Sequence, residues 1–217
     1  MDSVKEYLKR TKSAVLKLYE ARKSYFDILP NAEEAPIFSP SGNIDTEKEE
    51  VIKWQKENKL KNTEILRKEN EFVYEYLAMS TLSGAILQLA FWGIDRFSKN
   101  KKITIGFEDI IGMEEHKNKK AIKFCIGKVY DEIPAGLIIY AGRNQATHFY
   151  DRKFNSVTSR VFNKLMNWYG PKISMSNKVD NSKLCNYNIN NYAEEILFVL
   201  GWLNFESFER DMLEMLS

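Results

Sequence analysis

Residues 46–83 read TEKEEVIKWQKENKLKNTEILRKENEFVYEYLAMSTLS, a stretch with neither proline nor glycine. Proline removes a backbone donor and glycine raises the entropy cost of ordering, so a segment free of both can carry a helix without interruption. Thr46 with Glu49 three residues later supplies a capping-box start. Residues 55–64 (QKENKLKNTE) are strongly polar, which predicts a long helix with a solvated middle. From Leu77 to Ile94 the chain turns much more apolar, and a second, buried helix is expected to follow and to end near Phe97. This run approaches membrane-spanning length, but Ser80, Thr81, Ser83 and Gln88 interrupt it, so it reads as a core helix in preference to a bilayer span.

The flanking segments extend the helical reading. Val4, Leu8, Val15, Leu18, Tyr19, Tyr25, Phe26 and Leu29 recur at helical offsets and form an amphipathic stripe that stops at Pro30. Residues 30–45 (PNAEEAPIFSPSGNID) have loop composition. Residues 98–107 (SKNKKITIGF) form a basic connector in which Ile103–Ile105 is too short to define a sheet. A helical pattern resumes from Asn118 through Ala121, Phe124, Cys125, Val129 and Tyr130, and Pro134 opens a further helix with Asp131 and Glu132 just ahead of it. Phe154, Val157, Val161, Leu165 and Trp168 give another stripe, closed by Gly170-Pro171. Residues 171–190 are Asn- and Ser-rich and irregular. Asn191 with Glu194 marks a helix start, followed by Tyr192, Ile196, Val199, Leu200 and Leu203, and a last helix buries Phe208, Met212 and Leu216. The expectation is an all-α chain in a single domain, 1–217. Its bundle core lies roughly at 46–169, with the N-terminal helix 3–29 and the C-terminal helices 191–216 packed on it.

Composition narrows the chemistry. Apolar residues at 44% and charged residues at 29% fit an ordinary globular core, and a formal net charge of +2 means that nucleic-acid binding would need a local basic patch. Cys125 and Cys185 lie far apart, and the opening MDSVKEYLKR has no apolar core of the kind a secretory signal needs, so the expected compartment is the reducing cytoplasm. The only histidines are His116 and His148, and there is no Gly-rich phosphate loop, no CxxC and no HExxH. No metal site and no cofactor are expected on those grounds.

One segment is dense in groups that move protons and hold anions: Arg143-Asn144-Gln145-Ala146-Thr147-His148, directly after the apolar run AGLIIYA at 135–141. An arginine offers a planar pair of donors that suits a phosphate and cannot lose its charge, and a histidine titrates near neutrality. Together they supply what cleavage of RNA by its own 2′-hydroxyl demands, at about 10² to 10⁴ in rate for general acid–base action alone. On a continuous helix Arg143 and His148 project about 140° apart, whereas Asn144 and His148 share a face. Gly142 removes side-chain bulk beside Arg143, where a partner's backbone could approach. The plainer alternative has Arg143 in a surface salt bridge and His148 capping the helix end.

This segment resembles the R-x4-6-H motif of the HEPN family, in which Asn often follows the Arg. The resemblance implies a small helical bundle, a homodimer that brings two motifs together, and metal-independent endoribonuclease activity, frequently in toxin–antitoxin or phage-defence systems. Carried onto this chain, Arg143 would bind and polarise the phosphate, His148 would act as general base or acid, and Asn144 would orient the site. Tyr150 extends the segment to R-x4-H-x-Y, similar to HEPN toxins whose tyrosine is modified by a nucleotidyltransferase antitoxin. The alternative is a non-catalytic HEPN-like module that binds RNA or a protein.

Around this segment, Lys117, Lys119 and Lys120 belong to a lysine-rich stretch that could track an RNA backbone or simply be solvated. Trp54, Trp92, Trp168 and Trp202 read as core or interface anchors in preference to base-stacking platforms. His116, in the polar run EEHKNKK, reads as a surface residue.

Overall fold

Ser3 stands three residues ahead of Glu6, and its hydroxyl accepts the Glu6 backbone N–H at 3.2 Å, which satisfies one of the open donors at the start of the first helix. That helix, α1 (Val4–Ile28), opens the computed structural model, which describes residues 3–28, 47–103, 106–112, 119–148, 156–169 and 191–217. Among these residues the fold is all-α apart from one short hairpin. In α1 the predicted stripe is buried at Leu8, Val15 and Tyr19.

The long polar segment does form helix, but it is divided elsewhere than the composition suggests. α2 (Glu47–Glu57) ends at Asn58, whose backbone N–H and side-chain Nδ2 both donate to the Trp54 carbonyl at 2.9 Å. Asparagine competes with the helix in this way by closing a local turn. α3 (Lys59–Phe97) then runs 39 residues without a break, about 58 Å at 1.5 Å per residue. The expected boundary near Ser83 is absent. Ser83 is fully buried, and its hydroxyl donates to Glu194 at 2.6 Å, so a residue that reads as an interruption is a tertiary contact inside the helix. The C-terminal half of α3 supplies Met79, Ile86, Leu87, Ala90, Phe91 and Ile94 to the interior. Asn70–Phe97 is long and apolar enough to cross a membrane by length and composition, and half of its most apolar window is buried inside the fold.

Two short helices follow, α4 (Glu108–Ile111) and α5 (Lys119–Ile122). The helix expected through Val129 and Tyr130 is a correction: the backbone turns at Gly127 (φ 88), and β1 (Val129–Tyr130) pairs antiparallel with β2 (Ile133–Pro134). Asp131 and Glu132 form the tight turn between the strands, both with positive φ (44 and 65), the geometry of a two-residue hairpin loop. Thr104 and Ile105, from the other short strand considered, lie outside the described residues.

Pro134 caps α6 (Ala135–Thr147), as its position predicts. α7 (Ser156–Tyr169) buries Val157, Val161, Phe162 and Leu165. α8 (Ala193–Val199) starts one residue later than expected: Tyr192 is the N-cap, and Asn191 Oδ1 accepts the Ala193 N–H at 3.2 Å. Leu203 is exposed, against expectation, whereas Trp202 beside it is fully enclosed. α9 (Phe205–Leu216) buries Phe208 and Met212 and starts on Asn204, whose Oδ1 accepts the Ser207 N–H at 3.0 Å.

α3 is the axis against which α1, α6, α8 and α9 pack, and α7 lies against α6. Gly84 allows a close approach, since a Cβ there would stand 3.2 Å from Ala146 Cβ and 3.9 Å from Ala193 Cβ, where α3, α6 and α8 meet. A buried fork locks the same layer. Arg22 of α1 donates from Nε to Glu194 Oε2 at 2.7 Å and from Nη2 to Oε1, while Ser83 of α3 donates to that carboxylate as well. α1, α3 and α8 thus share one enclosed ion pair, whose geometry fixes their relative positions.

Candidate functional site

α6 changes character along its length. From Ala135 to Ile139 it is buried, packed between α3 and α7, and at Tyr140 it begins to emerge. Arg143 and Asn144 are half-buried, Gln145 is buried, and Thr147 and His148 are exposed. A buried apolar half therefore holds a polar end at the surface, and the polar end is the RNQATH segment.

Arg143 lies along α3. Its Nε donates to Gln88 Oε1 at 2.7 Å, its Nη1 donates to Asn144 Oδ1 at 3.0 Å, and its guanidinium carbon sits 4.8 Å from the centroid of the Phe91 ring. Asn144 in turn donates from Nδ2 to Thr158 Oγ1 on α7 at 3.4 Å. Among the described residues Arg143 has no carboxylate partner. The guanidinium is held by two neutral amides and by the face of the buried Phe91 ring, a cation–π contact worth about 0.5–1 kcal/mol at exposed sites and more when desolvated.

His148 terminates the helix. It is the C-cap residue, with φ −118 and ψ 29, and its backbone N–H donates to the carbonyls of Asn144 (3.1 Å) and Gln145 (3.2 Å). The main-chain half of the capping alternative is therefore realised, while the imidazole remains at the exposed end. Thr147 Oγ1 bonds back to the Arg143 carbonyl at 2.9 Å.

The expectation for Gly142 is corrected. Gly142 is buried, and a Cβ there would come within 2.8 Å of Ile196 Cγ2 and 3.2 Å of Leu87 Cδ1. It serves the packing of α6 on α8 and α3 inside the molecule, not a partner at the surface.

Of the basic residues considered, Lys119 and Lys120 are exposed on α5, and Lys120 is brought to the site. Its Nζ lies 4.8 Å from the Phe91 centroid and 3.4 Å from Asp95, so Arg143 and Lys120 both border one ring. Lys117, His116 and Tyr150 lie outside the described residues. Trp202 is a core anchor as expected; Trp92 is not, being 56% exposed. Among the described residues no group of three or more His, Cys, Asp or Glu side chains is arranged to hold a metal ion.

Three features escape a linear reading. Gln88 is visible only as a polar interruption in an apolar run, yet it positions Arg143. Gln145 accepts the Tyr192 N–H at 3.0 Å, joining α6 to the start of α8, and Nε2 of both Gln88 and Gln145 is enclosed with no hydrogen-bond partner among the described residues. Tyr76 donates to Glu195 across the α3–α8 seam. Burial pushes the Glu195 carboxyl above its usual range, against a lowering by the Tyr76 hydrogen bond, and burial with the adjacent carboxylate pushes the Tyr76 hydroxyl well above its own.

No family model, no curated protein and no solved structure matches this chain.

Proposed function

We propose that this protein is a metal-independent endoribonuclease of the HEPN type, with Arg143 and His148 as its catalytic residues and Asn144 as the residue that orients Arg143. The observation that carries the reading is the setting of Arg143: an arginine at the polar end of a buried helix, fixed by the amides of Gln88 and Asn144 and by Phe91, with no carboxylate against it among the described residues. Such a group is positioned before substrate arrives, which is how a donor stabilises charge that develops in a transition state.

In the proposed reaction His148 takes the proton from an RNA 2′-hydroxyl. That oxygen forms a bond to the adjacent phosphorus while the bond from phosphorus to the 5′-oxygen breaks, and the leaving oxygen takes a proton from solvent water. The products are a 2′,3′-cyclic phosphate and a 5′-hydroxyl, with no oxidant and no metal consumed. Arg143 holds the non-bridging oxygens. Because Arg143 and His148 diverge by about 140° around one helix, a single copy offers few groups converging on one phosphate, and the site is completed by a second protomer across a twofold axis. A cytoplasmic toxin–antitoxin or phage-defence role, with Tyr150 as the target of a nucleotidyltransferase partner, belongs to the same proposal.

The competing reading, a non-catalytic module that binds RNA or a protein, draws support from the capping bonds of His148. Incubation with RNA in EDTA, followed by analysis of the product ends, separates the two. The nuclease leaves cyclic phosphates under chelation, whereas a binding module leaves RNA intact, and cleavage that returns only with added divalent metal contradicts the mechanism.

A further inference from the structure

Along one face of α3 stand Gln88, Trp92 and Asp95, at helical offsets of four and three that place successive side chains one turn apart. Gln88 holds Arg143 through its Nε. Asp95 binds Lys120 Nζ at 3.4 Å and Lys123 Nζ at 3.3 Å, and its backbone carbonyl accepts from Lys123 at 2.7 Å. Trp92 lies between these two anchor points and is 56% exposed, although its neighbours Ala90, Phe91 and Ile94 are buried and Gly93 faces Tyr7 and Met212. Ala90, Phe91, Gly93 and Ile94 are thus enclosed, whereas Trp92 among them presents its indole to solvent. Exposing so large an aromatic forgoes a substantial burial gain, and its neighbours one turn away along the helix, Gln88 and Asp95, hold an arginine and two lysines respectively.

We propose that Trp92 is a stacking platform for an unpaired nucleobase of single-stranded RNA, with the flanking phosphates held by Arg143 on one side and Lys120 on the other. The inference rests on the RNA-directed reading of Arg143 but does not require cleavage. The shared Phe91 ring limits the spacing of the two cations: each lies 4.8 Å from its centroid, so they are no more than twice that distance apart. The arrangement matches the general way in which proteins hold single strands, where charge tracks the backbone and an aromatic face accepts a base of any identity. Asp95 sets the limit of the patch, since it consumes part of the lysine charge and leaves Arg143 as the stronger phosphate anchor.

The test uses a single-stranded 2′-O-methyl oligoribonucleotide of mixed sequence, which cannot be cut by 2′-hydroxyl attack, beside the same backbone carrying an abasic stretch. Trp92→Ala is expected to weaken binding of the intact strand about tenfold or more, with much less effect on the abasic strand. Trp92→Phe should recover most of the loss, and tryptophan quenching on binding should be present in the wild type and absent in that variant. An equal loss for both probes, no loss, or dissociation of the protein's own oligomer by Trp92→Ala on sedimentation overturns the proposal; the last would assign the indole to a protein contact. Stacking by a protein that leaves ordinary RNA uncut would remove the nuclease reading alone. Cleavage at unchanged KM by Trp92→Ala would remove the stacking site alone.

Discussion

Gln88 Oε1 of α3 accepts the Nε–H of Arg143 of α6 at 2.7 Å, so the arginine of the candidate site is fixed by a neutral amide. A carboxylate in the same place would hold the guanidinium as well but would cancel its charge and compete with a phosphate. Gln88→Glu is therefore expected to raise KM for RNA by about tenfold or more through a charge-assisted pair, while Gln88→Met, which keeps the length and removes the acceptor, mainly lowers kcat by loosening Arg143. Steady-state kinetics on both variants checks this. Equal kinetics for Gln88→Glu and the wild type would show that the charge of Arg143 is not in use.

Gly142 is a packing residue, and its substitution separates stability from chemistry. A Cβ at 2.8 Å from Ile196 Cγ2 forces the α6–α8 contact apart, and Gly142→Ala should cost about 1–3 kcal/mol in denaturant unfolding. A variant as stable as the wild type would mean that α6 and α8 adjust freely.

The Arg22–Glu194 fork, with Ser83 as its third member, is enclosed. Glu194→Gln removes the Glu194 charge from the buried guanidinium and should destabilise by about 3–5 kcal/mol, whereas an apolar replacement of both partners should come close to neutral. Unfolding of the two variants measures the difference. A small effect of the single change would place the pair in contact with water.

Glu195 gives the fold a pH dependence. Burial raises its carboxyl above the ordinary value of 4.5, so the folded state binds the proton more tightly than the unfolded chain does. The stabilisation from this group is complete below pH 4.5 and is lost as pH rises through the raised value. Glu195→Gln mimics the protonated form, so its Tm should match the wild type in acid and exceed it increasingly toward neutral pH. A constant offset at all pH values would contradict the assignment.

Cys125 is buried, and burial pushes its thiol up to about 11. Thiolate is the reactive species, so peptide mapping after alkylation at pH 8 should find Cys125 unmodified in the native protein and modified after denaturation. Rapid native modification would indicate that the α5 region opens.

The sequence carries the helices wherever a local rule controls them. The α1 stripe at Leu8, Val15 and Tyr19, the start at Pro134 and the buried second half of α3 were all legible, because periodicity and proline geometry act within a few residues. The break at Asn58 and the continuity through Ser83 are not legible in the sequence, because one depends on an amide that closes a turn and the other on a hydroxyl that finds Glu194. The hairpin at Asp131-Glu132 lacks the Asn-Gly or Asp-Gly pair that would announce it, and Gly142 looked open because nothing nearby in the chain reveals Ile196. In the site, Arg143, Asn144 and His148 could be named from their chemistry, whereas Gln88 and Trp92 acquire meaning only from α3 lying against α6.

Whether Arg143 and His148 form an RNA-cleaving centre is decided by incubating purified wild type, Arg143→Ala and His148→Ala with mixed cellular RNA in EDTA, at matched helicity and Tm. Cleavage by the wild type and a loss of tenfold or more in each variant are expected, with folding nearly unchanged because His148 is exposed and Arg143 is only half-buried. Undiminished cleavage by both variants, or no cleavage by the wild type, would exclude such a centre.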